Sequence, residues 1–261
     1  MSEAAAGAAD HPLWGWAVES WTWGWANLDD PVGPLLGEHL LLSLASIAIG
    51  LAAAVPLGLL SVRYRFLYPP VLTGVNTLYA VPSLALFFLL LPYTAFSPWT
   101  AILPLALYTL AILVPNVVDG LTQVPDHVRQ AAVAMGFGPL RRLLLVELPV
   151  ALPVIIAGLR VASVATISMV SVASLVGLGG LGGLITDGFN RDFAAPVVVG
   201  IVLSVLLAFA ADGGLVLLQR ALTPWARRDA RPGRRRRRAA DRAARAATAP
   251  RPAGPQPEES P

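Results

Sequence analysis

Residues 129–149 read RQAAVAMGFGPLRRLLLVELP, three arginines and a glutamate set among alanines, leucines and glycines. On either side the chain runs uncharged for long stretches, so this segment is a polar island between apolar blocks. Its first half, extended back through Asp126, reads as a helix. Pro125 and Asp126 favour a start, and Gly136, Gly138 and Pro139 favour a stop. The second half, LRRLLLVEL, leads directly into the next apolar run. The island is too short for a domain and too amphipathic for a plain linker, and a short helix with small residues on one face suits a groove in a partner.

Working outward, the 261-residue chain is 56% hydrophobic and only 13% charged, with a mean hydropathy of +0.65. That balance marks a membrane protein. A bilayer core about 30 Å thick needs roughly 20 apolar residues in a helix. Five such runs are present, at residues 39–62, 66–91, 99–118, 150–176 and 194–218. Pro56, Pro82, Pro104 and Pro153 fall inside them and predict kinks, which a bundle tolerates because neighbours satisfy the freed carbonyls. An odd number of spans places the termini on opposite sides. Segments 63–65, 119–149 and 219–261 hold two, three and twelve arginines, against Arg191 alone in the opposite set. The positive-inside rule therefore predicts the N-terminus outside and the C-terminus in the cytoplasm, with the island cytoplasmic. Residues 1–38 carry six acidic residues and no arginine, and no apolar core follows a basic start, which argues against a cleaved signal peptide.

Absences narrow the chemistry. Cysteine is absent, which excludes disulfides and cysteine-ligated metals. All nineteen basic residues are arginine, so no Walker A lysine is available for nucleotide phosphates. His11, His39 and His127 are too scattered to suggest a metal site, and no catalytic triad or paired-carboxylate pattern stands out. The sequence predicts neither an enzyme nor a cofactor-binding chain.

The spacing Gln130-Ala131-Ala132, then Gly136, then Val146 ten residues on, then Leu148-Pro149 resembles the EAA motif of permease subunits of bacterial ABC importers. In that family the motif forms a coupling helix that docks in a cleft of the cytoplasmic ATPase. Gln130 departs from the family's usual glutamate, keeping length and hydrogen-bonding capacity while losing charge. The stretches TLYAVPSLALFFLLLP (77–92), VELPVALPVIIAGLRVA (146–162) and ASLVGLGGLGGLI (173–185) are similar to osmoprotectant permeases for glycine betaine, choline or carnitine. Together the resemblance covers most of residues 38–222.

The resemblance implies an all-α membrane protein with the five-helix, MetI-like permease core of an ABC importer. It would lie in the bacterial inner membrane, with a Trp-rich extracytoplasmic segment at 1–38, the permease domain at 39–222 with its coupling loop at 119–149, and an Arg/Pro-rich tail at 223–261 expected to be disordered. The implied partners are an ABC ATPase that binds ATP and Mg, an external solute-binding protein, and a second permease subunit, identical or not. The resemblance also makes Pro82, Ser83, Gly177, Gly179 and Gly180 candidates for a pore or gate. Relatives that import methionine share the same core, so an amino acid is the alternative cargo.

GLGGLG at 177–182 formally matches a dinucleotide fingerprint, but it follows a membrane helix rather than a strand and carries no nucleotide reading. It either borders the gate or only packs helices. Arg160 and Asp212 are the charged residues well inside the runs, roughly 16 and 12 Å from the cytoplasmic face at helical rise. Buried membrane charges face the bundle or each other, which predicts mutual neutralisation. WGWAVESWTWGWANLDD at 14–30 holds five of the seven tryptophans. Cation-π cages bind quaternary ammonium, yet tryptophans in one flexible segment anchor at the interface more readily than they form a cage. The arginines from Arg227 onward suit anionic lipids better than nucleic acid. A stand-alone secondary transporter would show repeats or titratable ion-coupling residues, and a membrane anchor would work through the tail.

Overall fold

The computed structural model describes residues 13–224, and all of its regular structure is helical. The N-terminal stretch 1–12 and the arginine tail from 227 lie outside the described residues. Uncharged runs rich in leucine and alanine have one way to satisfy their backbone in lipid, the helix. Accordingly α1 spans Leu13–Ala26 and α2 Gly33–Arg63, with a π turn between them at Leu28–Val32. Then follow α3 (Tyr68–Ala80), α4 (Ser83–Thr94) and α5 (Trp99–Thr122). The polar island supplies α6 (Asp126–Ala134) and α7 (Pro139–Arg142), and a π turn at Leu143–Glu147 carries α7 into α8 (Leu148–Ala173). Two helices close the described chain, α9 (Gly182–Asn190) and α10 (Ala194–Leu222).

Four stretches are long and apolar enough to cross a membrane: 28–63, 99–122, 139–176 and 194–222. The expected second span is not one straight helix. It is the pair α3 and α4, bent by 89°, and counting the pair as one crossing gives five. The cause is local. A residue before proline is pushed out of the helical region, and here Val81 is extended (φ −70°, ψ 131°) with Pro82 at ψ 134°. Tyr108 of α5 donates its hydroxyl proton to the Val81 carbonyl, which the break leaves free. Pro56, Pro104 and Pro153, by contrast, sit inside continuous helices.

The bundle is organised around α5, most of which is buried. Small residues let backbones approach it closely, as expected where packing rather than the hydrophobic effect holds helices together. A Cβ on Gly50 or Gly58 of α2 would come within 2.6 Å of Thr109 or 2.5 Å of Val117, and one on Gly158 of α8 within 2.4 Å of Asn116. Thr109 and Thr166 share a hydrogen bond of 2.9 Å between α5 and α8. Few residues of α10 are buried, and one face is exposed, including Ile201, Val202, Val205 and Phe209.

The tryptophan stretch is helical from Leu13, which corrects the reading of it as a flexible segment. The helix holds partners at fixed angles: Trp21 and Trp25 meet edge to face at 5.5 Å, and Trp23 meets Phe193 at 6.1 Å. Trp21 and Trp25 remain exposed, as an interfacial anchor requires.

Candidate functional site

At one end of the bundle α6 stands out from α5 and α8. Its outward side is Ala131, Val133 and Ala134, continuing into Met135 and Gly136, all exposed, with Gln130 exposed beside them. Ala132 faces inward and is buried. The helix ends as its sequence dictates. Gly136 adopts φ +78°, its N–H donates to the Val133 carbonyl at 2.9 Å, and Phe137 N–H donates to the Ala132 carbonyl at 3.1 Å. A left-handed residue closing a helix in this way is most often glycine. Nothing lies within 4 Å of where a Gly136 Cβ would be, so the space over it is open. The other motif positions lie at the entry to α8, where Val146, Leu148 and Pro149 are half-buried.

Two of the island's three arginines, Arg129 and Arg142, turn inward. Glu147 is 7% exposed, and Arg142 Nε donates to its Oε1 at 2.7 Å. Arg129 Nε faces the same oxygen at 3.9 Å, and Arg129 Nη2 donates to the Leu121 carbonyl at the end of α5 at 2.6 Å. A buried carboxylate needs such partners. Arg141 instead lies over the Phe137 ring at 4.7 Å. The charges therefore brace α6 from behind, tying it to α5 and to the start of α8, while its apolar side is left free. Reading the motif alone misses Glu147, although one glutamate among three arginines within 21 residues is itself a pairing signal.

At the opposite end α8 finishes in a 3₁₀ turn, Ser174–Val176, and the glycine loop begins. Gly177 and Gly180 take φ +76° and +80°. Gly180 N–H donates to Glu38 Oε2 at 3.2 Å, and a Cβ on Gly179 would sit 1.9 Å from that oxygen. Leu178 packs in one buried cluster with Leu42, Phe87 and Val170, with Leu84 against it. Leu84 and Phe87 belong to α4, the helix that Pro82 and Ser83 initiate, so the candidate gate segments are joined through α4 rather than by the motif residues themselves. His39 lies fully buried beside this loop.

Arg160 of α8 and Asp212 of α10 form a two-pronged ion pair, with Nε to Oδ1 at 2.7 Å and Nη2 to Oδ2 at 2.9 Å. Ser171 and Ser204, 3.5 Å apart, and Gln219 Nε2 to the Pro153 carbonyl at 3.4 Å add further polar ties between the same two helices. Among the described residues no group of three or more His, Asp or Glu side chains is placed to hold a metal ion.

Three comparisons bear on this arrangement. Residues 46–224 match the family model described as the binding-protein-dependent transport system inner membrane component. The chain is 35% identical over 192 residues to the osmoprotectant import permease protein OsmW of Salmonella typhimurium, covering 72% of this chain and 89% of that one. It is 35% identical to the glycine betaine/carnitine/choline transport system permease protein OpuCD of Bacillus subtilis, with 72% and 82% covered. Against the carnitine transport permease protein OpuCB of Listeria monocytogenes the identity is 33%, with 75% and 90% covered. Among solved structures, an inward-facing MetNI methionine ABC transporter chain shares the fold at a TM-score of 0.66 and 24% identity, with 74% of this chain and 99% of that one covered. This chain therefore belongs to the family of binding-protein-dependent transport system inner membrane components and is a permease subunit of an ABC importer.

Proposed function

We propose that the chain imports a small quaternary-ammonium compatible solute such as glycine betaine, choline or carnitine, driven by a separate ATPase subunit that binds ATP and Mg. The observation that carries the coupling half of this reading is α6: an apolar, small-residue surface, open over Gly136 and braced from behind by Arg129, Arg142 and Glu147. Such a surface suits insertion into a cleft, and the brace makes α6 move with α5 and α8. The relatives, permease proteins for osmoprotectants, for glycine betaine, carnitine and choline, and for carnitine, support the cargo. Gln130, Ala131 and Gly136 contact the ATPase in this reading, Ala132 seats the helix from its buried side, and Val146, Leu148 and Pro149 form the pivot into α8.

In the same reading the chain crosses the bacterial inner membrane five times, with α3 and α4 forming one broken crossing, the N-terminus outside and the arginine tail in the cytoplasm. A second permease subunit covers the exposed face of α10, and a solute-binding protein delivers cargo at the glycine-loop end. Pro82, Ser83, Gly177, Gly179 and Gly180 then border the path, and the Arg160–Asp212 pair serves neutralisation rather than cargo binding, since a quaternary ammonium is repelled by arginine. Closure of the ATPase dimer shifts α6, and α8 carries the shift across the membrane. ATP supplies the bias only through its higher affinity for the closed state, so the chain alone moves nothing uphill.

Uptake of labelled glycine betaine after a salt upshift, in cells lacking the chain and in cells with it restored, tests the cargo. Uptake that returns only with the chain supports the reading. No difference for glycine betaine, choline and carnitine would overturn the cargo and turn attention to amino acids.

A further inference from the structure

His39 sits six residues into α2 and is fully buried, and both of its ring nitrogens are committed. Nε2 lies 3.0 Å from the carbonyl of Ile167 in α8, and the N–H of Leu181, in the glycine loop, donates to Nδ1 at 3.1 Å. A carbonyl only accepts and an amide N–H only donates, so these partners fix the neutral ring with its proton on Nε2. One rigid imidazole thereby ties three elements together: α2, α8 and the loop that enters α9. The preceding residue repeats the device, because Glu38 accepts the Gly180 N–H at 3.2 Å. The loop is built around these two side chains. A Cβ on Gly179 would lie 1.9 Å from the Glu38 carboxylate, and one on Gly180 3.1 Å from His39 Nδ1.

We propose that His39 is a positioning residue, with Glu38 as a second hook: a latch that makes the glycine loop follow displacements of α8. The proposal rests on the reading of α6 as the coupling helix. Helical structure runs without a break from Pro139, at the coupling end, through Ile167 to Val176. A shift imposed near Pro139 therefore reaches the Ile167 carbonyl. Because Ile167 and Leu181 hold opposite nitrogens of the same ring, α8 moves either with the loop or at the cost of a hydrogen bond. The loop in turn buries Leu178 in the same apolar cluster as Phe87 of α4, which extends the latch to the helix beyond the Pro82 break. The alternative is a histidine that only stabilises the bundle. The two differ in what happens to the dependence of loop exposure on nucleotide.

The chain contains no cysteine, so a single cysteine at Leu178, which is 4% exposed, reports loop opening by reaction with a membrane-impermeant maleimide. The experiment uses the complete complex in proteoliposomes, with its ATPase, its solute-binding protein and glycine betaine, choline and carnitine as cargo. In the parent complex carrying Leu178→Cys, labelling depends on ATP. With His39→Ala, labelling becomes independent of ATP, hydrolysis in the absence of binding protein rises, and uptake per complex falls by about fivefold or more, the lower end of ordinary coupling between sites. His39→Gln, whose amide offers both N–H donors and a carbonyl acceptor, restores the ATP dependence. Equal loss of folded complex in the alanine and glutamine variants, with labelling and hydrolysis per complex unchanged, would overturn the latch in favour of plain stabilisation. If His39→Ala does not assemble, Glu38→Ala applies the same test to the exposed hook. ATP-independent labelling supports the latch there, and parent-like labelling overturns it. A parent complex with no ATP-driven uptake of any of the three solutes would instead overturn the permease reading itself.

Discussion

The two ends of the bundle use glycine in opposite ways. Around Gly136 nothing lies within 4 Å of the missing Cβ, and the residue takes a φ of +78°. Around Gly179 that space is already taken, by the Glu38 carboxylate 1.9 Å from where a Cβ would stand. One glycine keeps a surface open, and the other lets a loop close onto a side chain. The contrast separates an open end, the docking end in the proposed function, from a locked end, and the continuous helical run from 139 to 176 connects them.

The largest expected break is Gly136→Leu. Uptake falls to background while the protein remains in the membrane, because the side chain fills the docking space and a non-glycine residue in the left-handed region costs about 1–2 kcal/mol. Gly136→Asn sharpens the comparison, since asparagine tolerates that conformation: a defect that persists comes from lost space and not from strain. Next comes Gly179→Ala. Overpacking costs about 1–3 kcal/mol, so the detergent-solubilised protein melts at a lower temperature, and adding Glu38→Ala recovers the melting temperature. Gly136→Ala also lowers melting, through left-handed strain of about 1–2 kcal/mol rather than a clash, so adding Glu38→Ala recovers nothing there.

Between the two ends, Arg160→Asp or Asp212→Arg leaves an uncompensated charge inside a span and lowers membrane abundance, as judged by immunoblot. Reversing both restores it, and failure of the double variant to recover would argue against pairing. Smaller again is Glu147→Gln, which keeps the shape of the brace and removes its charge. Stimulation of the partner ATPase then drops by a few-fold with abundance preserved. Removing residues 227–261 has the least effect, with uptake close to that of the full chain, whereas an anchor protein would lose its function.

Much of this was legible in the sequence because the signals were local. The limits of α6 follow from Pro125, Asp126 and Gly136, and the apolar runs at 99–118, 150–176 and 194–218 lie within the observed helical stretches to within a few residues. The broken second run was legible only as a proline. Whether a proline bends a helix or breaks it depends on tertiary partners, here the Tyr108 hydroxyl that takes up the Val81 carbonyl. His39 is hidden for a related reason, whereas Glu147 pairs with Arg142 only five residues away and was open to a local reading. His39 meets Ile167 and Leu181 at sequence separations of 128 and 142, which no local pattern records. Helicity of the tryptophan stretch, taken from sequence as a flexible segment, goes with packing on distant residues: Trp23 meets Phe193, and Gly24 lies close to Val199.

The central claim is that α6 is the surface that meets the ATPase. Single cysteines at Val133, on that surface, and at Phe189, exposed near the other end, test it in the assembled complex with a short thiol cross-linker. The account predicts a cross-link from Val133 to the ATPase subunit that changes on addition of ATP, and none from Phe189. A cross-link from Phe189 with none from Val133 would contradict it.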